Sequence, residues 1–230
     1  MTKPTREEIE EKVAQGGNVS FAGQDLSDLN LSKMELSGSD FSNANLSNTN
    51  LRDSQVRDCN FSGANLEAAN LKGANLSKAV LSGAIVTGAD MSGIYLIKAN
   101  VSRVDMQGVK LVKAKLDEVN FSGAHLRGVD LDRAFAIRSD FSGADLSDAN
   151  LIEVNFKNAN LSGANFFKAT LRDAFFEAAN ICGADFRQAN LSGAIFRQAT
   201  YDDQTQWDED FDPAAADAVK KKKKKLFGLF

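Results

Sequence analysis

Histidine is almost missing from this chain: His125 is the only one in 230 residues. Cysteine is nearly as scarce, with Cys59 and Cys182 alone. No Cys/His cluster has the spacing of a zinc site, and two thiols cannot build a disulfide framework. His125 falls one residue before a periodic apolar position, so it faces outward and is expected to be solvated. No glycine-rich phosphate loop precedes a helix. The two prolines are Pro4 and Pro213, and the residues between them contain none. Proline removes a backbone donor, so its absence suits a chain whose amides are paired throughout. Residues 1–5 are polar and no apolar run follows, so no signal peptide is expected and a cytoplasmic location is the default. No metal, cofactor or enzymatic activity is expected.

What is present is a period. Every fifth residue from Phe21 to Tyr201 is apolar, and these 37 positions comprise 19 Leu, 10 Phe and 8 others. Two residues before each lies a second periodic position, which is Ala in 22 of the 37 cases. A period of five fits neither a helix at 3.6 residues per turn nor a plain strand at two. It requires a chain that turns a corner every five residues and sends the same two side chains inward. Self-similarity at a fixed short period marks a solenoid.

Units such as Ala64-Asn65-Leu66 and Ala144-Asp145-Leu146 resemble the pentapeptide-repeat family, whose motif reads A(D/N)LxX. The resemblance covers about 180 residues without an insertion. It implies an all-β, right-handed, quadrilateral parallel β-helix with four pentapeptides per coil. The spacing of Phe supports a twenty-residue coil independently. Six pairs of central Phe lie twenty apart, among them Phe21/Phe41 and Phe176/Phe196, and none lies five apart. About nine coils fit between residues 21 and 200, giving a rod of about 43 Å at a strand spacing of about 4.8 Å. Asn stands before the centre 15 times, where stacked amides can form ladders. Gly at the corner, as in Phe61-Ser62-Gly63, suits turns that need positive φ.

The organisation follows. Residues 1–20 form an N-terminal cap with a short helix over 5–15, because Thr5 to Glu8 reads as a capping box and Gly16-Gly17 would stop the helix. Residues 21–200 are the β-helix, with weak first repeats at Gln24, Leu29 and Met34. Residues 201–219 form an acidic cap or linker in which Trp207 and Phe211 fold over the last coil. Residues 220–230 form a lysine-rich, apolar-ended tail, expected to be disordered by self-repulsion. The segment 201–219 holds seven acids and no base, whereas 21–200 is nearly balanced with 20 acids and 18 bases.

Two surfaces stand out. One wall carries Ser and Gly almost throughout. On another, outward positions are apolar: Tyr95, Ile97, Phe135, Ile137, Phe175 and Ile195, with Val112 and Ile152 at the adjoining corner. Registers of twenty align them along one side. Contiguous apolar patches often mark interfaces, although single exposed hydrophobes are ordinary. The wall is therefore expected to bind a protein partner or to self-associate. The small centre Ala136 leaves open a bulge that would turn Phe135 or Ile137 inward. The tail, Lys220, Lys221, Lys222, Lys223, Lys224 and Lys225 followed by Leu226, Phe227, Gly228, Leu229 and Phe230, resembles a basic-apolar anchor for an anionic membrane surface. Its lysines could instead pair with the acids between Asp208 and Asp212. The resemblance also includes DNA-mimicking regulators of gyrase, but that mimicry needs a strongly acidic rod, and these walls are balanced. Nucleic acid is not an expected partner.

Overall fold

The structure is a computed structural model and describes residues 3–16 and 18–221. Its backbone is organised by parallel bridges between residues twenty apart, running from Ser20↔Asp40 to Asn180↔Thr200. Each pentapeptide contributes one bridging residue, the one before the centre, and then turns. Extended strands are correspondingly rare. Among the described residues the named elements are α1 (Arg6–Ala14), β1 (Thr200–Tyr201) and β2 (Val219–Lys220).

One repeat accounts for its own hydrogen bonds. Phe141 N–H donates to Asn160 O at 2.7 Å and Gly143 N–H to Ser162 O at 2.9 Å, both in the following coil. Ala144 N–H closes the turn on Phe141 O at 3.0 Å, and Asp145 N–H reaches back to Ala124 O at 3.0 Å. The fifth amide, Ser142 N–H, goes to Asp140 Oδ1 at 2.9 Å. A buried or wall-bound amide without a partner is costly, so this fifth donor explains why Asn or Asp precedes the centre so often. The carboxylate or amide oxygen makes an Asx turn over the corner. The same residues also stack between coils: Asn160 Nδ2 donates to Asp140 Oδ1 at 3.0 Å and Asn180 Nδ2 to Asn160 Oδ1 at 3.0 Å.

The third residue of every turn has positive φ, at each fifth position from Gly23 to Gln198. That is the signature of a type II corner. Fourteen of these residues are Gly and twenty-two are not. The left-handed conformation costs a non-glycine residue about 1–2 kcal/mol, and none of the twenty-two is β-branched, the type for which it is least tolerable. Glycine was the visible corner signal, but most corners here are Asp, Asn, Lys, Arg, Glu or Gln held in that geometry by the ladders on either side.

The interior is filled by the periodic residues, from Phe21 through Phe196. All six aromatic pairs anticipated from twenty-residue spacing meet as rings. Phe121/Phe141 lie 4.5 Å apart between centroids, Phe176/Phe196 4.6 Å and Phe166/Phe186 4.9 Å. At the Ala position the hydroxyls of Thr49, Ser54 and Ser139 donate to backbone carbonyls, Thr49 Oγ1 to Leu26 O at 2.9 Å. Cys59 occupies the same position, and burial pushes its thiol up to about 12, which leaves it protonated and unreactive.

Both ends are covered. Thr5 caps α1, its side chain accepting from Glu8 N–H while Glu8 Oε2 accepts from Thr5 N–H at 2.9 Å. Ile9 is buried against the first coil, with Val13 packed beside it. At the other end Trp207 stacks on Phe186 at 4.8 Å and on Phe211 at 4.8 Å. The chain slips by one residue here, since Asp185 pairs with Gln206.

The boundary expected at 219/220 falls within β2. β2 pairs in parallel with β1, placing Val219 beside Thr200 and Lys220 beside Tyr201. Lys220 Nζ lies 2.8 Å from Asp203 Oδ1, and Lys221 N–H donates to Tyr201 O at 2.7 Å. Self-repulsion along the lysine run does not prevail at its first two members, because a strand edge offers backbone partners and Asp203 offers charge. The acids between Asp208 and Asp212 have other work. Asp208 Oδ1 accepts from Gln188 N–H at 2.7 Å and Asp212 Oδ1 from Ala214 N–H at 2.9 Å. The remainder of the proposed anchor, Lys222 to Phe230, lies outside the described residues.

Candidate functional site

The apolar wall is built by one column of bridging residues. The ladder runs Tyr95, Lys115, Phe135, Asn155, Phe175 and Ile195 in successive coils. In this column the Asn or Asp that caps the corner is mostly replaced. Tyr95, Phe135, Phe175 and Ile195 point outward, with 39–44% of their surface exposed. None can accept a hydrogen bond from the amide two residues on. For Ile137 the loss is made up from the preceding coil, where Asp117 Oδ1 accepts its N–H at 3.1 Å. The wall therefore gives up local stabilisation, about 0.5–1.5 kcal/mol per hydrogen bond, in order to display apolar surface.

The coil at Ala136 stays in frame. Ala136 is fully buried, Phe135 pairs with both Lys115 and Asn155, and no bulge turns it inward. Ile97, Ile137, Val112 and Ile152 are only half-buried members of the patch, set on the turns beside the column. Sequence period alone had ranked them with the aromatic residues, but neighbouring coils shield them. The column is not bare either. Lys115 Nζ sits 3.5 Å from the Phe135 ring centroid, a close cation–π contact.

Two shallow depressions line up along this wall. One, of about 610 Å³, is bounded by Lys113, Lys115, Arg133, Phe135, Glu153 and Phe175. The other, of about 520 Å³, lies where Phe175, Ile195 and Arg197 meet residues 215–217 of the C-terminal segment. Charged side chains flank the column in ladders that the spacing of charges contained but that were not anticipated. Glu118 is paired with both Lys98 and Arg138, at 3.5 and 3.2 Å. Glu177 is paired with Lys157 at 2.9 Å and also with Arg197. Arg133 makes a two-pronged contact with Glu153, both distances 3.1 Å. The Arg197 and Lys157 side chains hold the Glu177 carboxyl below its ordinary value, and Arg133 does the same for Glu153.

Val80 and Ile85 are exposed, but on other walls. Cys182 is half-buried, and burial raises its thiol pKa. Among the described residues no group of three or more His, Cys, Asp or Glu is arranged to hold a metal ion, and no helix is long and apolar enough to cross a membrane.

Parallel bridges every twenty residues, a filled interior and a flat wall with shallow depressions define a β-helical repeat protein. A family model described as pentapeptide repeats matches eight copies in it, over residues 17–55, 59–96, 87–123, 120–158 and 159–198. The chain belongs to the pentapeptide-repeat family. Similar solved structures include HetL, a pentapeptide repeat protein involved in heterocyst differentiation regulation from the cyanobacterium Nostoc sp. strain PCC 7120. That match has 25% identity, covers 85% of this chain and 96% of HetL, and has a TM-score of 0.41. Full-length QnrB1, a plasmid-mediated fluoroquinolone resistance protein, is similar at 15% identity, covering 89% of this chain and 92% of its own, with a TM-score of 0.44. Rfr23 from the cyanobacterium Cyanothece 51142 is similar at 24% identity over 50% of this chain and 91% of its own, with a TM-score of 0.38. Comparison with curated proteins finds no match.

Proposed function

We propose that this protein is a non-catalytic scaffold that binds another protein through the wall carrying Tyr95, Phe135 and Phe175. The supporting observation is the replacement of turn-capping Asn or Asp by exposed aromatic and aliphatic residues in one column of one wall. Departures from local stability rules cluster at functional sites, and aromatic side chains are favoured binding anchors. The β-helix in this proposal is right-handed, has about nine coils between residues 21 and 200, and uses α1 as its N-terminal cap. It works as a rigid rod in the cytoplasm.

Gyrase regulation by DNA mimicry is the weaker reading, because the acids on this wall are matched by bases in ladders such as Lys98–Glu118–Arg138. Membrane attachment through Lys220 to Phe230 would begin from Lys221, since the Lys220 ammonium is already engaged by Asp203.

Capture experiments test the wall. The full chain, a chain ending at Lys221 and the triple variant Tyr95→Ser/Phe135→Ser/Phe175→Ser are compared as baits, with thermal melting as the control for folding. Binding should survive truncation and disappear in the folded triple variant. Binding that survives in the triple variant but fails on truncation would transfer the function to the tail.

A further inference from the structure

We infer that the partner of this wall is a second copy of the same chain, packed antiparallel about a twofold axis that crosses the wall at the coil of Phe135. The inference rests on the wall being the binding surface. Its first support is the symmetry of the column. Tyr95 and Phe175 each lie two coils from Phe135, through Lys115 on one side and Asn155 on the other. An isologous contact needs a patch that is complementary to itself. Reversing the coil order about Phe135 places that ring on its own copy and each Tyr95 on Phe175 of the second copy.

The second support is charge. The aromatic column from Tyr95 to Phe175 runs only about 19 Å, so its flanks must pack as well to approach the roughly 800 Å² per partner of a stable complex. In this register each column faces itself in reverse. Lys113 then faces Glu153 of the second copy, Asp117 faces Lys157, and Lys115 faces the neutral Asn155. Arg133, Arg138 and the corner residue Asp132 would each meet their own copy, and both arginines already hold a carboxylate within their own chain, Glu153 at 3.1 Å and Glu118 at 3.2 Å.

Other registers fit less well. Moving the axis half a coil towards the C-terminus sets Asp117 against Glu177 and Phe135 against Asn155. Moving it a full coil joins Phe135 to Phe175 and Asp117 to Arg197, but leaves Tyr95 with no aromatic counterpart. A parallel pair would set Lys115 on Lys115 and Asp173 against Glu177. Opposed like charges of this kind penalise the wrong arrangement.

Sedimentation equilibrium and directed cross-linking test the inference on the full chain in a Cys182→Ser background. Cys59 is buried and protonated, so introduced thiols report alone. The full chain should sediment as a dimer at micromolar concentration, and Phe135→Asp should convert it to a folded monomer. Mixing Tyr95→Cys and Phe175→Cys chains of different tag size should yield the mixed covalent dimer on oxidation, whereas Tyr95→Cys alone should yield none. A covalent dimer from Tyr95→Cys alone would overturn the antiparallel register while leaving the wall as the interface. A monomeric full chain, or a dimer untouched by Phe135→Asp, would overturn the second copy as partner. The wall as a binding surface would fail separately, in the capture experiment with the triple Ser variant.

Discussion

Two walls of the same rod differ in how they treat the residue before the centre. On the serine wall this residue is Asn or Asp from Asp40 to Asn180 except at Val80, and Asp40, Asn60, Asp140 and Asn160 accept from the corner amide while stacking on an equivalent one coil away. Its polar capacity is consumed internally. On the apolar wall the same backbone position carries Tyr95, Phe135, Phe175 and Ile195, which stack no amides and cap no corners. The inward side chains of both walls follow one rule. The comparison shows that the interior specifies the fold with enough margin for one outer face to give up its local bonds.

The largest effect should come from breaking what the walls share. Leu71 is fully buried, with Leu51 and Met91 in equivalent positions one coil to each side. Leu71→Asp places an unpaired charge there, and a loss of more than about 4 kcal/mol is expected. Chemical denaturation should find no cooperative native transition, and an unchanged transition would contradict the inward assignment. Next comes the serine wall. Asp140→Ala removes the cap on Ser142 and the partner of Asn160, and should cost about 1–2 kcal/mol, read as a lower urea midpoint at constant slope.

The apolar wall should respond with the opposite sign. Phe175→Asn restores the motif residue, able to accept from the Glu177 amide and to stack on Asn155. Thermal stability of the monomer should rise by about 0.5–1 kcal/mol while self-association weakens. A destabilised variant would mean that Phe175 contributes to the fold rather than to binding. The smallest effect concerns the ion ladders. Glu153 and Glu177 have carboxyl pKa values lowered by their Arg and Lys partners. Their contribution is complete above the unfolded carboxylate value, about 4.3, and is lost as pH falls through the lower folded values. The melting temperature of Glu153→Gln/Glu177→Gln should therefore fall less steeply than wild type below about pH 4, and the two should differ little in slope above about pH 5.

Much of this was legible in the residues. An unbroken period of five forces one inward and one outward set, and Phe spaced by twenty gives the coil length because rings in adjacent coils stack at about the strand spacing. Tyr95, Phe135 and Phe175 were placed outward by the same arithmetic. The Asn and Asp before each centre were visible as a pattern, but their capping of the fifth amide was not, since that duty emerges only when the other four amides are seen to be occupied.

Sequence by itself determined the repeat, the inward frame, the coil length and the alignment of the apolar column, because each follows from counting along a chain whose geometry repeats. Tertiary structure alone decided the placement of Lys115 over Phe135, the half-burial of Ile97 and Ile137, the shared carboxylates of Glu118 and Glu177, and the pairing of Lys220 with Tyr201. A period dictates which backbone positions are neighbours. It does not dictate which rotamer a long side chain adopts among several neighbours in water, nor how a segment without a repeat meets the last exposed strand edge.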